Sequence, residues 1–203
     1  MTSMKRYFDM TLAGAGLVAS APLWVLFGAA IKLEDGGPIF FTQERVGLRG
    51  RVFDALKFRS MRPDAEAGVG AVQAIENDPR VTRIGRLMRA TAMDELPQLW
   101  NIFRGDMSFV GPRALRPGEV DGGGGGAIVH MEDIPGYAAR IAVRPGLTGI
   151  AQIYAPRDVP RRQKFRYDRL YVTRQSMRLD LRLILLSFWI SFRGTWESRG
   201  RKY

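Results

Sequence analysis

The sequence contains no cysteine, and His130 is the only histidine among its 203 residues. These two scarcities exclude disulfide bonds, a cysteine nucleophile, zinc-thiolate sites and metal sites built from several histidines. The chain also lacks any G-x-x-x-x-G-K-S/T sequence, the signature of a P-loop. If the protein is a catalyst, its chemistry must therefore depend on carboxylates.

The composition is that of a folded domain, with 46% hydrophobic and 25% charged residues, but the charge is unevenly distributed. Residues 1–139 carry 16 basic and 16 acidic side chains, whereas residues 140–203 carry 15 basic and 4 acidic ones. The formal net charge of +11 therefore lies in the last third of the chain. Such a basic surface attracts polyanions, which include nucleic acid, an anionic membrane surface and phosphorylated substrates.

An apolar segment near the N-terminus, residues 10–31, contains no charged residue. It is long enough for a membrane-spanning helix and too long for the apolar region of a cleaved signal peptide. Pro22 lies near its middle and predicts a kink or a break, where Ser20 can satisfy part of the freed backbone. Two interpretations follow: a kinked span, which the residues alone favour, or two half-helices that enter and leave by the same face.

A second apolar segment, residues 183–192, lies near the C-terminus between Arg182 and Arg193. Ten residues cannot cross a bilayer. Apolar and aromatic side chains bounded by arginines are typical of a helix that lies in the headgroup region, with its basic groups at lipid phosphates. An ordinary core helix explains the same pattern equally well.

The central part of the chain begins with a predicted β-hairpin. Residues 39–46 and 52–58 are rich in strand-forming side chains and flank a glycine-containing turn at 47–50. In the second strand, alternation places Lys57 and Arg59 on one face, where two cations can hold a phosphate or simply face solvent.

The best-defined helix is predicted around residues 96–103, whose apolar side chains follow helical spacing. Pro97 suits its first position and Gly105 its C-terminal cap. Asp94 and Glu95 then stand at its N-terminus, where free amides and the helix dipole favour ionised carboxylates. Taken alone, the pair favours simple capping over catalysis. Basic residues elsewhere in the sequence suggest a site for phosphate chemistry.

Two glycine-containing segments follow. Residues 122–126 are five consecutive glycines without the strand and helix of a dinucleotide-binding motif, and they predict a flexible loop. Residues 144–149 form a second predicted turn that begins with Arg144.

Short sequence blocks occur in a fixed order along nearly the whole chain. They are KRYFD at 5–9, GPIFF at 37–41, QERVG at 43–47, KFRSM at 57–61, NDPR at 77–80, DELPQLWN at 94–101, GDMSFVGPR at 105–113, RPGLTG at 144–149, YD at 167–168 and YV at 171–172. In these blocks the chain resembles the bacterial sugar transferases, specifically the small monotopic polyprenyl-phosphate phosphoglycosyl transferases.

The resemblance implies an α+β fold that is mostly helical and contains a small β-hairpin. Residues 1–35 would form a re-entrant membrane helix, a helix-break-helix element with its break at Ser20 and Pro22. Residues 36–203 would form a globular catalytic domain in the cytoplasm, with amphipathic interfacial helices that include the segment near 178–193. The protein would then be monotopic in the bacterial inner membrane.

The resemblance also implies a two-step, ping-pong transfer. Asp94 would attack the sugar-bearing phosphorus of a UDP-sugar, release UMP and carry the phosphosugar as a covalent aspartyl intermediate. Polyprenyl (undecaprenyl) phosphate would then attack this intermediate, in the first membrane step of glycoconjugate assembly. Glu95 would serve the second step as a base or metal partner, with Mg²⁺ bound at Asp94 and Glu95.

Further site residues and partners follow from the same resemblance. Asp168 is another candidate site residue. Substrate phosphates would be held by the cations Lys57, Arg59, Arg89, Arg113 and Arg144. The expected partners are a UDP-sugar, polyprenyl phosphate and inner-membrane lipid, without nucleic acid, and a dimer is one option for the oligomeric state. The alternative function is a non-catalytic, basic protein that binds or scaffolds at the membrane surface.

Overall fold

The computed structural model describes residues 2–65, 78–121, 128–156 and 159–196, so the glycine run at 122–126 lies outside the described residues. The fold is α+β and mostly helical, as predicted. Its helices are α1 (Thr2–Asp35), α2 (Arg83–Thr91), α3 (Gln98–Arg104), α4 (Tyr137–Ile141), α5 (Ile150–Tyr154), α6 (Arg161–Arg174) and α7 (Met177–Arg193). Its strands are β1 (Phe40–Val46), β2 (Val52–Phe58), β3 (Ser108–Val110), β4 (Val120–Asp121), β5 (Val129–His130) and β6 (Gly146–Thr148).

The strands form three two-stranded sheets. The predicted hairpin is confirmed, because β1 and β2 pair antiparallel with Phe40 opposite Phe58 and Val46 opposite Val52. Strands β3 and β6 pair in parallel, which brings the segment before Arg113 beside the 144–149 turn. Strands β4 and β5 form a short antiparallel pair.

Helix α1 is the one helix among the described residues that is long and apolar enough to cross a membrane. It is assigned as a continuous helix from Thr2 to Asp35 with Pro22 inside it, so the predicted interruption at Pro22 is not observed. A proline removes one backbone donor, which favours a kink without requiring that the helix end. The Ser20 hydroxyl lies 3.4 Å from the Leu17 carbonyl oxygen and accepts a hydrogen bond from the Trp24 indole at 3.1 Å.

The N-terminal part of α1 is attached to the rest of the fold by charged side chains. Lys5 Nζ lies 2.7 Å from Asp180 Oδ2 on α7. The Arg6 guanidinium donates to the carbonyl oxygens of Ile102 and Phe103 at the end of α3, at 2.6 Å each. These carbonyls lie in the last turn of α3, where the Ile102 oxygen also accepts the Gly105 amide at 3.1 Å, and such C-terminal carbonyls are suitable acceptors for a cation.

The C-terminal end of α1 is attached to the same body. The Glu34 carboxylate accepts the first amides of α2, from Arg83 at 2.6 Å and from Ile84 at 3.0 Å. Asp35 forms a bidentate ion pair with Arg59, which directly follows β2. Both flanks of the apolar segment therefore contact one folded domain, and the first part of the segment packs into its core through buried Ala13 and partly buried Leu17.

The predicted helix near 178–193 is confirmed as α7. Leu183 and Ile190 are fully buried in the main core. Leu185, Phe188 and Phe192 project outward and are 68%, 65% and 84% exposed. The helix is thus a core element on one face and an exposed apolar surface on the other.

Asn101 fixes α3 against the hairpin. Its side chain is buried, accepts the Leu56 amide at 3.0 Å and donates to the Asp54 carbonyl at 2.7 Å. These bonds hold α3, and the turn that precedes it, over the β2 strand that carries Lys57.

Replacing Asn101 with Ala leaves the Leu56 amide and the Asp54 carbonyl, which it binds through partly buried hydrogen bonds, without this partner, and an unpaired buried group costs about 1–3 kcal/mol. We expect the free energy of unfolding to fall by about 2 kcal/mol, measured by denaturant unfolding in detergent. Arg104→Ala is the control, because its ion pair with Asp106 is at the surface and contributes less than about 1 kcal/mol. Equal stability of the Asn101 variant and the control would contradict this role.

Candidate active site

Asp94 and Glu95 lie in a short 3-10 turn, Met93–Glu95, between α2 and α3. The turn begins at Ala92, whose left-handed backbone (φ 57°) ends α2. Pro97 is the residue before α3 rather than its first residue, whereas Gly105 caps the C-terminus of α3 as predicted, with φ 102°. The carboxylates are therefore displaced from the first turn of α3.

This displacement corrects the predicted source of stabilisation. The amides of Glu95 and Leu96 donate to the carbonyls of Ala92 and Met93, so they are not available to the carboxylates. Burial raises the pKa of Asp94 to about 6, partly opposed by the nearby Lys57 charge. Side-chain cations, and not helix amides, supply the positive potential at this turn.

Glu95 is held by two of these cations. Its Oε1 accepts Lys57 Nζ from β2 and Arg113 Nη2 from the loop after β3, both at 2.7 Å. Burial alone would raise the pKa of Glu95, but Arg113 and Lys57 hold it well below its usual range. Glu95 thus remains ionised and keeps both cations beside Asp94.

The loop that presents Arg113 is fixed by close backbone packing. Gly111 lies against the 144–146 segment so tightly that a Cβ on it would be 2.4 Å from the Arg144 carbonyl oxygen. Only glycine permits this approach, and Arg113 follows two residues later.

Asp94 differs from its neighbour because, within the described ranges, it makes no hydrogen bond or ion pair. Its carboxylate lines a cavity of ≈ 1780 Å³, together with Lys57, Arg89 and Arg113. The positive charges of all three lower its pKa and so favour its ionised form. Asp94 is therefore a carboxylate without a bonded partner among the described residues, and three cations surround it.

Three of the five predicted phosphate ligands, Lys57, Arg89 and Arg113, are therefore brought together, and two are not. Arg59 lines the cavity, but its guanidinium is committed to Asp35 and to the Pro38 and Met61 carbonyls. The Nε atom of Arg144 donates to the Gly105 carbonyl at 2.8 Å, at the C-terminal end of α3, and Arg144 does not line the cavity. Both arginines bind carbonyl groups left at the ends of other elements.

Asp168 lies in the same cavity and is linked to Arg113 through a residue that sequence analysis missed, Arg140. Arg140 Nε lies 3.1 Å from Asp168 Oδ2, its guanidinium stacks 4.3 Å from the centre of the Phe165 ring, and it donates to the Arg113 carbonyl. Burial raises the pKa of Asp168 to about 6, partly opposed by Arg140. No sequence pattern marked Arg140, because it lies in a five-residue helix without an apolar repeat.

Ser20 and Pro22 occupy different surroundings. Ser20 is buried and lines the cavity, whereas Pro22 is exposed and does not. The site as a whole combines carboxylates, cations and a stretch of α1.

A family model described as bacterial sugar transferase matches residues 1–194, so the chain belongs to the bacterial sugar transferase family. It is 44% identical over 190 residues to the undecaprenyl-phosphate glucose phosphotransferase of Komagataeibacter xylinus, an alignment that covers 90% of this chain and 35% of that protein. It is 42% identical over 186 residues to the UDP-glucose:undecaprenyl-phosphate glucose-1-phosphate transferase of Caulobacter vibrioides, with 89% and 67% covered. It is 40% identical over 186 residues to exopolysaccharide production protein PSS of Rhizobium leguminosarum bv. phaseoli, with 89% and 91% covered.

The raised pKa of Asp168 predicts a pH dependence of stability. Because the folded state binds this proton more tightly than the unfolded state, the stabilisation is fully present below pH 4 and is lost as pH rises toward 6. Asp168→Asn should remove this loss, so the difference in unfolding free energy between variant and wild type should grow in the variant's favour by up to ~3 kcal/mol from pH 4 to 7. Denaturant unfolding at four pH values measures it, with exposed Glu132→Gln as control. Parallel pH curves for wild type and Asp168→Asn would contradict the assignment.

Proposed function

We propose that the protein transfers a phosphosugar from a UDP-sugar to polyprenyl phosphate and releases UMP. The observation that carries this proposal is a difference between two adjacent carboxylates. Glu95 is bound to Lys57 and Arg113, whereas Asp94 has no partner among the described residues. The names of two relatives, from K. xylinus and C. vibrioides, describe glucose phosphate transfer involving undecaprenyl phosphate and support the same chemistry here.

In the first step, a carboxylate oxygen of Asp94 attacks the sugar-bearing phosphorus of the UDP-sugar. An O–P bond to Asp94 forms, the bond between that phosphorus and the bridging oxygen breaks, and UMP leaves with the electron pair. An anionic nucleophile approaches a diphosphate only if the surrounding charge is neutralised. Lys57, Arg89 and Arg113 provide this neutralisation around Asp94.

In the second step, a phosphate oxygen of polyprenyl phosphate attacks the phosphorus of the aspartyl intermediate and the Asp94 oxygen leaves. A phosphate monoester has its second pKa near ~6, so the attacking group is ionised near neutral pH and needs no base. Glu95 would be a weak base in any case, because its pKa is held low. We therefore assign Glu95 the role of holding Lys57 and Arg113 in place.

The carboxylates fit a Mg²⁺ ion that is shared with substrate. No group of three or more histidine, aspartate or glutamate ligands occurs in the described part of the chain. Mg²⁺ in phosphoryl-transfer sites commonly takes one or two carboxylates and completes its shell with water and substrate phosphates. Asp94 and Glu95 would hold it, and when bound it would neutralise charge on the substrate phosphates.

The attachment of α1 supports a monotopic arrangement with the catalytic domain in the cytoplasm. Lys5 and Glu34, near the two ends of α1, bind the same domain, while Val18 and Val25 between them are 78% and 74% exposed. The outward face of α7 adds a second exposed apolar surface. We propose that these surfaces enter the inner membrane from one side. The dimer stays a prediction.

The nucleophile assignment is tested by trapping. Incubated with UDP-sugars without acceptor, the wild-type protein should gain the mass of one phosphosugar, measured by intact-protein mass spectrometry. Asp94→Asn should reduce the labelling rate by at least about 10³-fold, because it removes the attacking charge. Glu95→Gln, the matched isosteric change, should label slowly but detectably. A labelled Asp94→Asn protein, or a wild type that turns over without label, would contradict the proposal. If the protein were instead a membrane-binding scaffold, no UMP would be released.

The absence of native cysteine allows a clean topology test. Single cysteines at Ser3 and Leu33 mark the two ends of α1. In spheroplasts, we expect an impermeant maleimide to label neither, and permeabilisation to expose both, because both ends contact the cytoplasmic domain. One labelled and one shielded end would indicate a full span.

A further inference from the structure

Another cavity, of ≈ 650 Å³, lies where α1 ends and α2 begins. Four arginines and four carboxylates contribute to its wall, and we call it the arginine pocket. Its arginines are Arg62, Arg83, Arg86 and Arg89. The arginine pocket adjoins the active-site cavity, because Arg62 and Arg89 line both.

Three of the four carboxylates at the arginine pocket are bound to other parts of the fold. These are Glu34, bound to the first amides of α2, Asp35, paired with Arg59, and Asp78, paired with Arg80 at 2.7 Å. The fourth, Asp64, is exposed. When the two partner arginines are included, six cations oppose four anions, which leaves a formal excess of two positive charges.

The arginines have unused hydrogen-bond donors. The side chains of Arg62, Arg83 and Arg86 are exposed and form no hydrogen bond or ion pair within the described ranges. Arg83 and Arg86 are three positions apart on α2, so their side chains start about 5–6 Å apart on one side of the helix. Two guanidinium groups at this spacing can hold one anion between them. The arginine pocket is therefore a concave surface suited to a phosphate.

The position of the arginine pocket beside α1 indicates where this phosphate comes from. Glu34 follows the uncharged segment 10–31 by three residues, which is about 4.5 Å along the helix. Leu33 is 87% exposed, and Leu87, which follows Arg86 on α2, is 56% exposed. Exposed leucines beside arginines, at the end of an apolar helix, are typical of a surface at the level of lipid headgroups.

We infer that the arginine pocket binds the phosphate of an anionic phospholipid of the phosphatidylglycerol type. A lipid phosphodiester carries one negative charge and accepts hydrogen bonds from guanidinium groups, while its acyl chains would contact the exposed leucines. A soluble phosphate or nucleotide would use the same arginines but would leave the leucines in water. The inference goes beyond the proposed phosphosugar transfer and requires only that α1 enters the membrane.

Paired substitutions in the detergent-solubilised full chain test this assignment by native mass spectrometry. The wild type should bind phosphatidylglycerol at least about 10-fold more tightly than zwitterionic phosphatidylcholine. Arg83→Gln/Arg86→Gln should weaken phosphatidylglycerol binding about 20-fold, because each basic residue near anionic lipid contributes about 5-fold. The matched control is Arg166→Gln/Arg169→Gln, two exposed arginines three positions apart on α6 that do not line the arginine pocket, and it should change binding less than about 2-fold.

Two outcomes of this experiment would overturn the inference: equal losses in the two double variants, or equal binding of the two lipids by the wild type. All four substitutions replace exposed side chains, so thermal unfolding of both variants should match that of the wild type. If Arg83→Gln/Arg86→Gln does not fold, the single variant Arg86→Gln repeats the test with an expected loss of about 5-fold.

A cross-linking experiment locates the lipid and identifies the source of the phosphate. A photoreactive phosphatidylglycerol should cross-link the wild-type protein within residues 33–35 or 81–89, and unlabelled phosphatidylglycerol should compete with it. Inorganic phosphate and UMP should not compete at equal concentration. Competition by either soluble anion, or cross-links only elsewhere, would overturn the lipid assignment. Neither experiment involves phosphosugar transfer, so a wild type that binds the lipid here but transfers no phosphosugar would refute the proposed function alone.

Discussion

The site depends on one shared anion, Glu95 Oε1, which two cations from different elements contact at 2.7 Å. Lys57 comes from the hairpin and Arg113 from the loop after β3, so this single oxygen connects the hairpin and that loop to the 93–95 turn. Glu95 and Lys57 are largely buried, so their ion pair replaces water that both groups have lost, whereas Arg113 stays 44% exposed. As a result, Asp94 lies in a fixed positive environment, and its own oxygens take no part in these ion pairs.

Sequence reasoning found the elements more reliably than the contacts. The hairpin, α3 with its Gly105 cap and α7 follow from periodicity and turn residues, which are local properties. The prediction of a catalytic role for Asp94 came from resemblance, since the residues alone favoured capping. Arg59 and Arg144 were predicted to bind phosphate because they are cations in the ordered sequence blocks. In the fold, their guanidinium groups bind nearby carbonyl and carboxylate groups instead. Arg140 was missed because its importance arises only when α4, α6 and the Arg113 loop meet.

The long helix α1 shows how tertiary contacts modify a local signal. Pro22 predicts a kink or a break, and the helix continues through it without a break. At both ends of α1 side chains bind the rest of the fold, Lys5 and Arg6 at one end and Glu34 and Asp35 at the other. The contacts at the two ends of α1, rather than Pro22, therefore determine where those ends lie.

The Glu34 carboxylate occupies the first amides of α2, and Arg89 stands in the last turn of that same short helix. Helix α1, the candidate membrane helix, and the Arg89 guanidinium near Asp94 are therefore connected through one short helix, α2. A change in the tilt of α1 would therefore displace α2 and the Arg89 charge near Asp94, so the thickness of a membrane around α1 would affect the electrostatics of the cavity.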